Sequence, residues 1–442
     1  MRIVSLDVRD IRFPTSRSLD GSDAMHRKPD YSCAYVVLGT DSDAGVEGCG
    51  LTFTNGRGTE VVVAAVRALE FLVVGRTLEE IVGDMRGFSR SLTSEDQLRW
   101  LGPEKGVIHL AAGAVLNAVW DLWAKVEGTP LYRLLVDLEP EQLVGAIDFR
   151  YIEDALSESD ALALLRGMRA GREERLAEII ESGYPAYTTS AGWLGYDDAK
   201  ITRLVAEAVA AGFTYVKMKV GQDVASDARR ARLIRESLGQ DGTLMMDANQ
   251  YWGVDEAIAA MRVLGEYDPW WIEEPTSPDD VLGHARIRRE ISPIRVATGE
   301  HVQNRVIFKQ LFQAEAIDVC QIDACRVGGV NEVLAIILLA AKYEVPVCPH
   351  AGGVGLCEYV QHLAMFDYIA VSGTLENRVV EWVDHLHEHF VHPAIVRDGS
   401  YLAPTAPGYS IEMHAASLDM YEYPQGAVWN QPDVVGASLG PD

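Results

Sequence analysis

From Pro185 onward the chain alternates short β-rich runs with helical stretches, and ionisable residues recur at the ends of those runs. The runs are Ala186–Ser190, Thr214–Val220, Leu244–Asp247, Trp270–Glu273, Arg295–Thr298, Ile317–Asp323, Val345–Pro349 and Tyr368–Val371. Parallel strands joined through helices follow the right-handed crossover rule, and eight in succession predict a (β/α)8-type barrel over 185–399. Active sites of such barrels form at the C-terminal strand ends. Those ends carry Lys217 and Lys219, Asp247, Glu273, Glu300, Asp323 and His350. From Lys219 the successive steps are 28, 26, 27, 23 and 27 residues, one β/α unit each, so these residues fall on one rim.

Strand geometry sharpens the pattern. Residues i and i+2 share a face, so Lys217 and Lys219 point the same way while Met218 faces the helical layer. Asp247 and Asn249 can share a face; Glu273 and Glu274 point apart and are expected to differ in role. Three carboxylates from consecutive strands (Asp247, Glu273 and Glu300) make a hard oxygen site suited to magnesium. The two lysines would then help hold an anionic substrate. Asp323 beside His350 fixes the imidazole tautomer and raises its basicity. The Ala351-Gly352-Gly353 that follows leaves little side-chain bulk near a ligand.

Residues 1–138 read as an α+β unit, with strands over Val4–Phe13 and Ala34–Leu38 and helices over Val61–Val74 and Ala111–Lys125. Asp10 to Asp30 is polar and turn-rich and reads as a flexible loop. Residues 139–184 form a charged helical connector, and 400–442, with Pro404, Pro407, Pro424 and Pro432, is expected to return to the N-terminal unit. The chain is 48% hydrophobic and 24% charged, the balance of a globular protein. Its longest apolar run, Val333 to Ala341, is far short of a span of about 20 residues, so no membrane partner is expected. Net charge is −26 without a polybasic run, which argues against nucleic acid and anionic membranes. A small anionic substrate must therefore be captured by local cations. Six cysteines are too sparse for a disulfide scaffold, and the N-terminus alternates like a strand instead of showing a signal peptide's apolar centre, so a cytoplasmic enzyme with reduced thiols is expected. His385-x-His387-x-His389 lacks a carboxylate or cysteine frame and reads as structural. No GxGxxG supports a nicotinamide site.

The segments Val216-Lys217-Met218-Lys219, Asp247-Ala248-Asn249, Trp271-Ile272-Glu273-Glu274-Pro275 and Thr298-Gly299-Glu300, with the Asp323/His350 pair, resemble the enolase superfamily in its mandelate racemase-like branch. The resemblance covers nearly the whole chain, including an N-terminal α+β capping domain completed by the C-terminal segment. Arg99-Trp100-Leu101-Gly102-Pro103-Glu104-Lys105-Gly106, Pro275-Thr276-Ser277-Pro278-Asp279-Asp280, His350-Ala351-Gly352-Gly353-Val354-Gly355-Leu356-Cys357 and Glu376-Asn377-Arg378 are similar to the L-fuconate dehydratase family. That likeness implies one magnesium ion per active site and dehydration of the sugar acid L-fuconate to 2-keto-3-deoxy-L-fuconate. Lys219 is then the base that takes the C2 proton, its neutral form favoured by neighbouring Lys217, which also stabilises the substrate carboxylate. His350, oriented by Asp323, is the acid that assists loss of the 3-hydroxyl. Asn249 and Glu381 contact the bound acid, and Gly21, Ser22, Asp23 and Tyr31 close over the polyol. Ser372, at the last strand end, lines the site, and the chain is expected to form a homo-oligomer. Dehydration of another acid sugar, racemisation or epimerisation of a 2-hydroxy acid on the same fold, and a non-catalytic binding role are the alternatives.

Overall fold

Three antiparallel strands open the chain: β1 (Ile3–Arg12), β2 (Ser32–Thr40) and β3 (Gly48–Thr54). This computed structural model describes residues 1–239 and 241–430; residues 431–442 of the expected segment 400–442 lie outside the described residues. Gly48 and Gly50 of β3 pack on the helix Gly106–Val126, where an added Cβ at Gly50 would collide with the Ala114 carbonyl. Ala111, Ala112, Ala114 and Ala118 leave that helix thin enough for a sheet to approach closely. It is long and apolar enough to cross a membrane by composition, yet 94% of its apolar window is buried inside the protein.

The connector folds into the helices Pro140–Ala146, Glu158–Gly167 and Arg172–Ser182. Beyond it a mostly parallel sheet runs through β4 (Tyr184–Thr188), β5 (Tyr215–Lys219), β6 (Thr243–Asp247), β7 (Pro269–Glu273), β8 (Arg295–Thr298) and β9 (Val319–Cys320). The segment 345–349 joins β9 only through the Cys320/Val347 bridge. Pro346 and Pro349 remove two backbone donors there, which restricts it to a short contact.

The eighth expected strand is not at Tyr368–Val371. Tyr368–Ser372 continues the helix Leu356–Asp367, which stops at Gly373 with φ +66°, a left-handed position that glycine adopts without strain. The apolar run lies upstream of this stop signal and so stays helical. The strand is β10 (Val380–Trp382), paired in parallel with β4. Among the described residues no ladder joins 345–349 to β10. Cys348 Sγ instead reaches the Asn377 carbonyl at 3.3 Å, so the sheet is barrel-like without a hydrogen-bonded seam at that point.

Inside the sheet, Tyr187, Met245, Trp271, Ala297, Val319, Cys348 and Val379 form one buried cluster. Two residues further along their strands stand Asp247, Glu273, His350 and Glu381, placed on the inner face by the two-residue period. Two short strands, β11 (Val396–Arg397) and β12 (Ser400–Tyr401), extend the sheet beyond β4. The chain then returns to the N-terminal sheet, where Glu422 bridges Ile11 and the Tyr423 amide donates to the Asp10 carbonyl at 2.8 Å.

Candidate active site

The pairing register brings the charged strand ends together. Lys219 lies opposite Asp247, and Asp247 opposite Glu273. One oxygen each of Asp247, Glu273 and Glu300 fall within 4.8 Å of one another. Gly299, which precedes Glu300, packs so tightly on the Gln321 backbone that a side chain there would clash. The lysines sit among these acids. Lys217 Nζ lies 2.8 Å from Glu273, 2.9 Å from Glu381 and 3.5 Å from Asp247, while Lys219 Nζ lies 2.6 Å from Asp247.

On the far side, His350 Nδ1 meets Asp323 at 2.8 Å, and its Nε2 stands 3.1 Å from Glu300 and 3.8 Å from Glu381. Asp323 is itself held by the amides of Cys325 and Arg326 at 2.6 and 2.9 Å. A cavity open to solvent lies above this set. Lys219, Asn249, Glu300, Asp323, His350 and Glu381 line it, together with Gly21, Asp23 and Tyr31 of the N-terminal loop.

Burial and crowding set the protonation states. Burial pulls His350 down, but Glu300 and the hydrogen bond to Asp323 outweigh it and push it up to about 9. Burial also acts against charge on Lys219, yet Asp247 and Glu300 hold it above its ordinary value despite neighbouring Lys217. Lys217 alone therefore does not make Lys219 neutral; the expected neutral form also needs the metal charge that would occupy these carboxylates. Burial and Asp247 raise Glu273. Burial opposes ionisation of Glu300, but His350 and His301 hold it well below the usual range.

Not every expected residue reaches the cavity. Lys217 is fully buried beneath it, with Asp247 and Glu273. Its ammonium braces carboxylates from below and does not line the substrate space. Ser22 turns inward and donates to the Arg27 carbonyl at 2.9 Å. Ser372 lies at the end of the helical segment, where its hydroxyl donates to the Asp367 carbonyl at 3.2 Å; it does not line the cavity. Asn249 sits at φ +44°, off the strand, so its face was not set by alternation; its amide donates to Asp247 and its Oδ1 is buried without a partner. Gly21 is required where it stands, because at φ +80° its α-carbon packs against the Tyr31 ring.

Sequence reasoning passed over His26, Phe53, Asn55, Trp193, His301 and Arg326, which also line the cavity. His301 was the most accessible of these, since it directly follows Glu300. The others depend on how the N-terminal loop and β3 meet the sheet. The His385, His387 and His389 side chains go to separate partners: His385 packs on Tyr31 and Trp193, His387 bonds Glu358 and His389 bonds Ser417.

The residues present fit a magnesium ion. The donors are hard carboxylate oxygens, and they exceed the lysines that face them.

Comparison with known proteins agrees with this arrangement. Residues 24–136 match the mandelate racemase / muconate lactonizing enzyme N-terminal domain, and residues 200–417 match the enolase C-terminal domain-like family. The chain is 58% identical over 432 residues to human mitochondrial enolase superfamily member 1, covering 97% of this chain and 98% of that protein. The crystal structure of that protein superposes with a TM-score of 0.96 over 97% of this chain and 98% of the other. The L-galactonate dehydratase of Hypocrea jecorina is 55% identical over 428 residues, covering 95% of this chain and 94% of that enzyme. A racemase from Streptomyces coelicolor A3(2), crystallised with bound magnesium, is 26% identical with a TM-score of 0.74, covering 95% of this chain and 99% of that one. With two matched domains, a carboxylate triad on consecutive strand ends and full-length relatives, the chain belongs to the enolase superfamily, in its mandelate racemase/muconate lactonizing enzyme branch.

Proposed function

We propose that this protein is a magnesium-dependent sugar acid dehydratase that converts L-fuconate to 2-keto-3-deoxy-L-fuconate. One observation carries the reading: Lys219 and an Asp323-backed His350 line the same cavity, above three clustered carboxylates. The likeness to an L-galactonate dehydratase supports the substrate class. L-Fuconate is L-galactonate without its C6 hydroxyl, so the two share every reacting centre.

Asp247, Glu273 and Glu300 would hold magnesium, which when bound supplies positive charge to the substrate carboxylate and to the enediolate that forms from it. With Asp247 and Glu300 committed to magnesium, Lys219 would lose the carboxylates that hold it protonated, and as the neutral amine its Nζ takes the C2 proton. Lys217 keeps Glu273 and Glu381 fixed beneath the site, so the donor geometry exists before substrate arrives. His350 delivers its Nε2 proton to the departing 3-hydroxyl, while Asp323 keeps the ring oriented through Nδ1. The product enol then tautomerises to the 2-keto acid. Gly21, Asp23 and Tyr31 roof the cavity and exclude water from the distal hydroxyls.

The same reading assigns 1–138 and 402–430 to the cap, 139–184 to the connector and 185–401, which takes in β12, to the catalytic unit. Six free, buried thiols support a reducing compartment such as the cytoplasm.

The test is a panel of acid sugars with magnesium, read by semicarbazide for 2-keto acid and by polarimetry. L-Fuconate should give keto acid, EDTA should abolish the reaction and magnesium restore it. Optical change without keto acid would instead favour a racemase, and full turnover in metal-free protein would overturn the magnesium reading.

A further inference from the structure

Glu300 belongs to two overlapping groups of potential metal donors. One is Asp247, Glu273 and Glu300; the other is Glu274, Glu300 and His301, whose nearest donor atoms also fall within 4.8 Å of one another. Both groups cannot serve one ion equally, and the side-chain contacts separate them. Glu274 is fully buried at φ +41°, which turns it away from the inner face that Glu273 occupies. One of its oxygens accepts from Gln250 Nε2 at 2.8 Å, and the other lies 3.2 Å from His301 Nδ1. The same Nδ1 lies 3.0 Å from Glu300 Oε1. Glu300 Oε2 points the other way, into the cavity, where His350 Nε2 stands 3.1 Å from it. A buried carboxylate pair needs a shared positive or donor group, and a nitrogen facing two acceptor oxygens satisfies both only when it carries a proton. A protonated nitrogen has no lone pair for a metal, and magnesium prefers oxygen in any case.

We propose that His301 is a positioning residue for the metal site. Its Nδ1–H clamps Glu300 Oε1 to Glu274, leaves Glu300 Oε2 on the cavity side for the ion and keeps Glu274 outside the coordination sphere. The inference rests on the reading that Asp247, Glu273 and Glu300 hold magnesium. Asparagine can place an amide N–H near the Nδ1 position, whereas leucine offers similar bulk and no donor.

The experiment is calorimetric titration of chelator-treated, dialysed full-length protein with magnesium chloride, alongside thermal melts. Hydrogen-bonding partners behind metal ligands typically contribute about 10–100-fold in affinity, so His301→Leu should weaken magnesium binding by about that factor and His301→Asn should recover most of it. Glu300→Gln should abolish binding, and Glu274→Gln should weaken it less. Unchanged affinity in His301→Leu, or equal losses in the Leu and Asn variants, overturns the positioning role. Equal losses in Glu274→Gln and Glu300→Gln would make Glu274 a ligand and overturn it too. Unchanged binding in Glu300→Gln would refute the underlying metal assignment, and the inference falls with it. If His301→Leu does not fold, histidine-selective ¹⁵N NMR of the wild type decides: Nδ1 should stay protonated at saturating magnesium, and loss of that proton overturns the proposal.

Discussion

Two buried clusters of carboxylates differ in how their charge is matched. Between the cap helix Gly106–Val126 and the outer helices of the barrel-like domain, Glu332 meets His109 at 2.6 Å and Arg305 at 3.0 Å, and Glu104 meets Arg305 at 2.9 Å and Arg150 at 3.2 Å. Asp148 bonds Arg90 and Arg150, each at 2.7 Å. Three acids there face three guanidiniums. Burial works against ionisation, but these partners hold Glu332 far below the usual range and bring Asp148 to about 2. At the strand ends, Asp247, Glu273, Glu274, Glu300, Asp323 and Glu381 face only two lysines and two histidines, and Glu273 is pushed up, not down. Matched charge docks one domain on the other; unmatched charge leaves a group of donors that could hold a cation from outside.

Breaking the strand-end cluster should have the largest effect. Lys219→Ala and His350→Asn should each lower dehydration by about 10²–10⁴-fold. Proton NMR of L-fuconate in deuterium oxide separates the two: the histidine variant should retain some C2 exchange and the lysine variant none. Exchange in Lys219→Ala alone would reverse the roles.

The matched cluster should fail differently. Arg305→Met leaves Glu332 and Glu104 buried with less compensation, and should cost about 3–5 kcal/mol in urea unfolding while turnover per folded molecule persists. A stability unchanged from wild type would show that the cluster does not hold the domains.

Acid titration sharpens the contrast through its sign. The folded-state value of Glu332 is depressed, so its contribution is full above the unfolded value of about 4.3 and is lost as pH falls below it. The folded-state value of Glu273 is raised, so it costs stability as pH rises above that same value. In chelated protein, Glu332→Gln should flatten the acid loss of urea midpoint, and Glu273→Gln should remove a slope of the opposite sign. Parallel changes in both variants would erase the distinction. The smallest effect is expected from Ser372→Ala, which lies off the cavity: kcat/KM should stay within about twofold, as for substitutions outside special sites.

Much of the site was legible because its residues stand one β/α unit apart and the two-residue strand period fixes their face. Asp247, Glu273, Glu300, Asp323 and His350 needed no long-range information. Tyr368–Val371 misled because a short apolar run looks alike in a strand and a buried helix, and the three-residue β10 is too brief to show a period. Ser22 and Ser372 failed because a hydroxyl can be spent on a local carbonyl, which spacing does not reveal. His26, Trp193 and Arg326 come into view only once loops from separate parts of the chain converge. The charge state of Lys219 depends on a balance of several neighbours, not on Lys217 alone.

The pairing of β10 with β4 carries a consequence for synthesis. Glu381, which braces Lys217, stands on a strand whose partner is made nearly 200 residues earlier, and the Glu422/Ile11 bridge closes the chain almost end to end. A ribosome releases the N-terminal end first, and contacts so distant in sequence form late. The acids Asp247, Glu273 and Glu300 therefore emerge before the strand that completes Lys217's contacts. A nascent chain stalled before Val380 would carry those three acids and Lys217 without Glu381, the carboxylate that meets Lys217 at 2.9 Å in the finished fold.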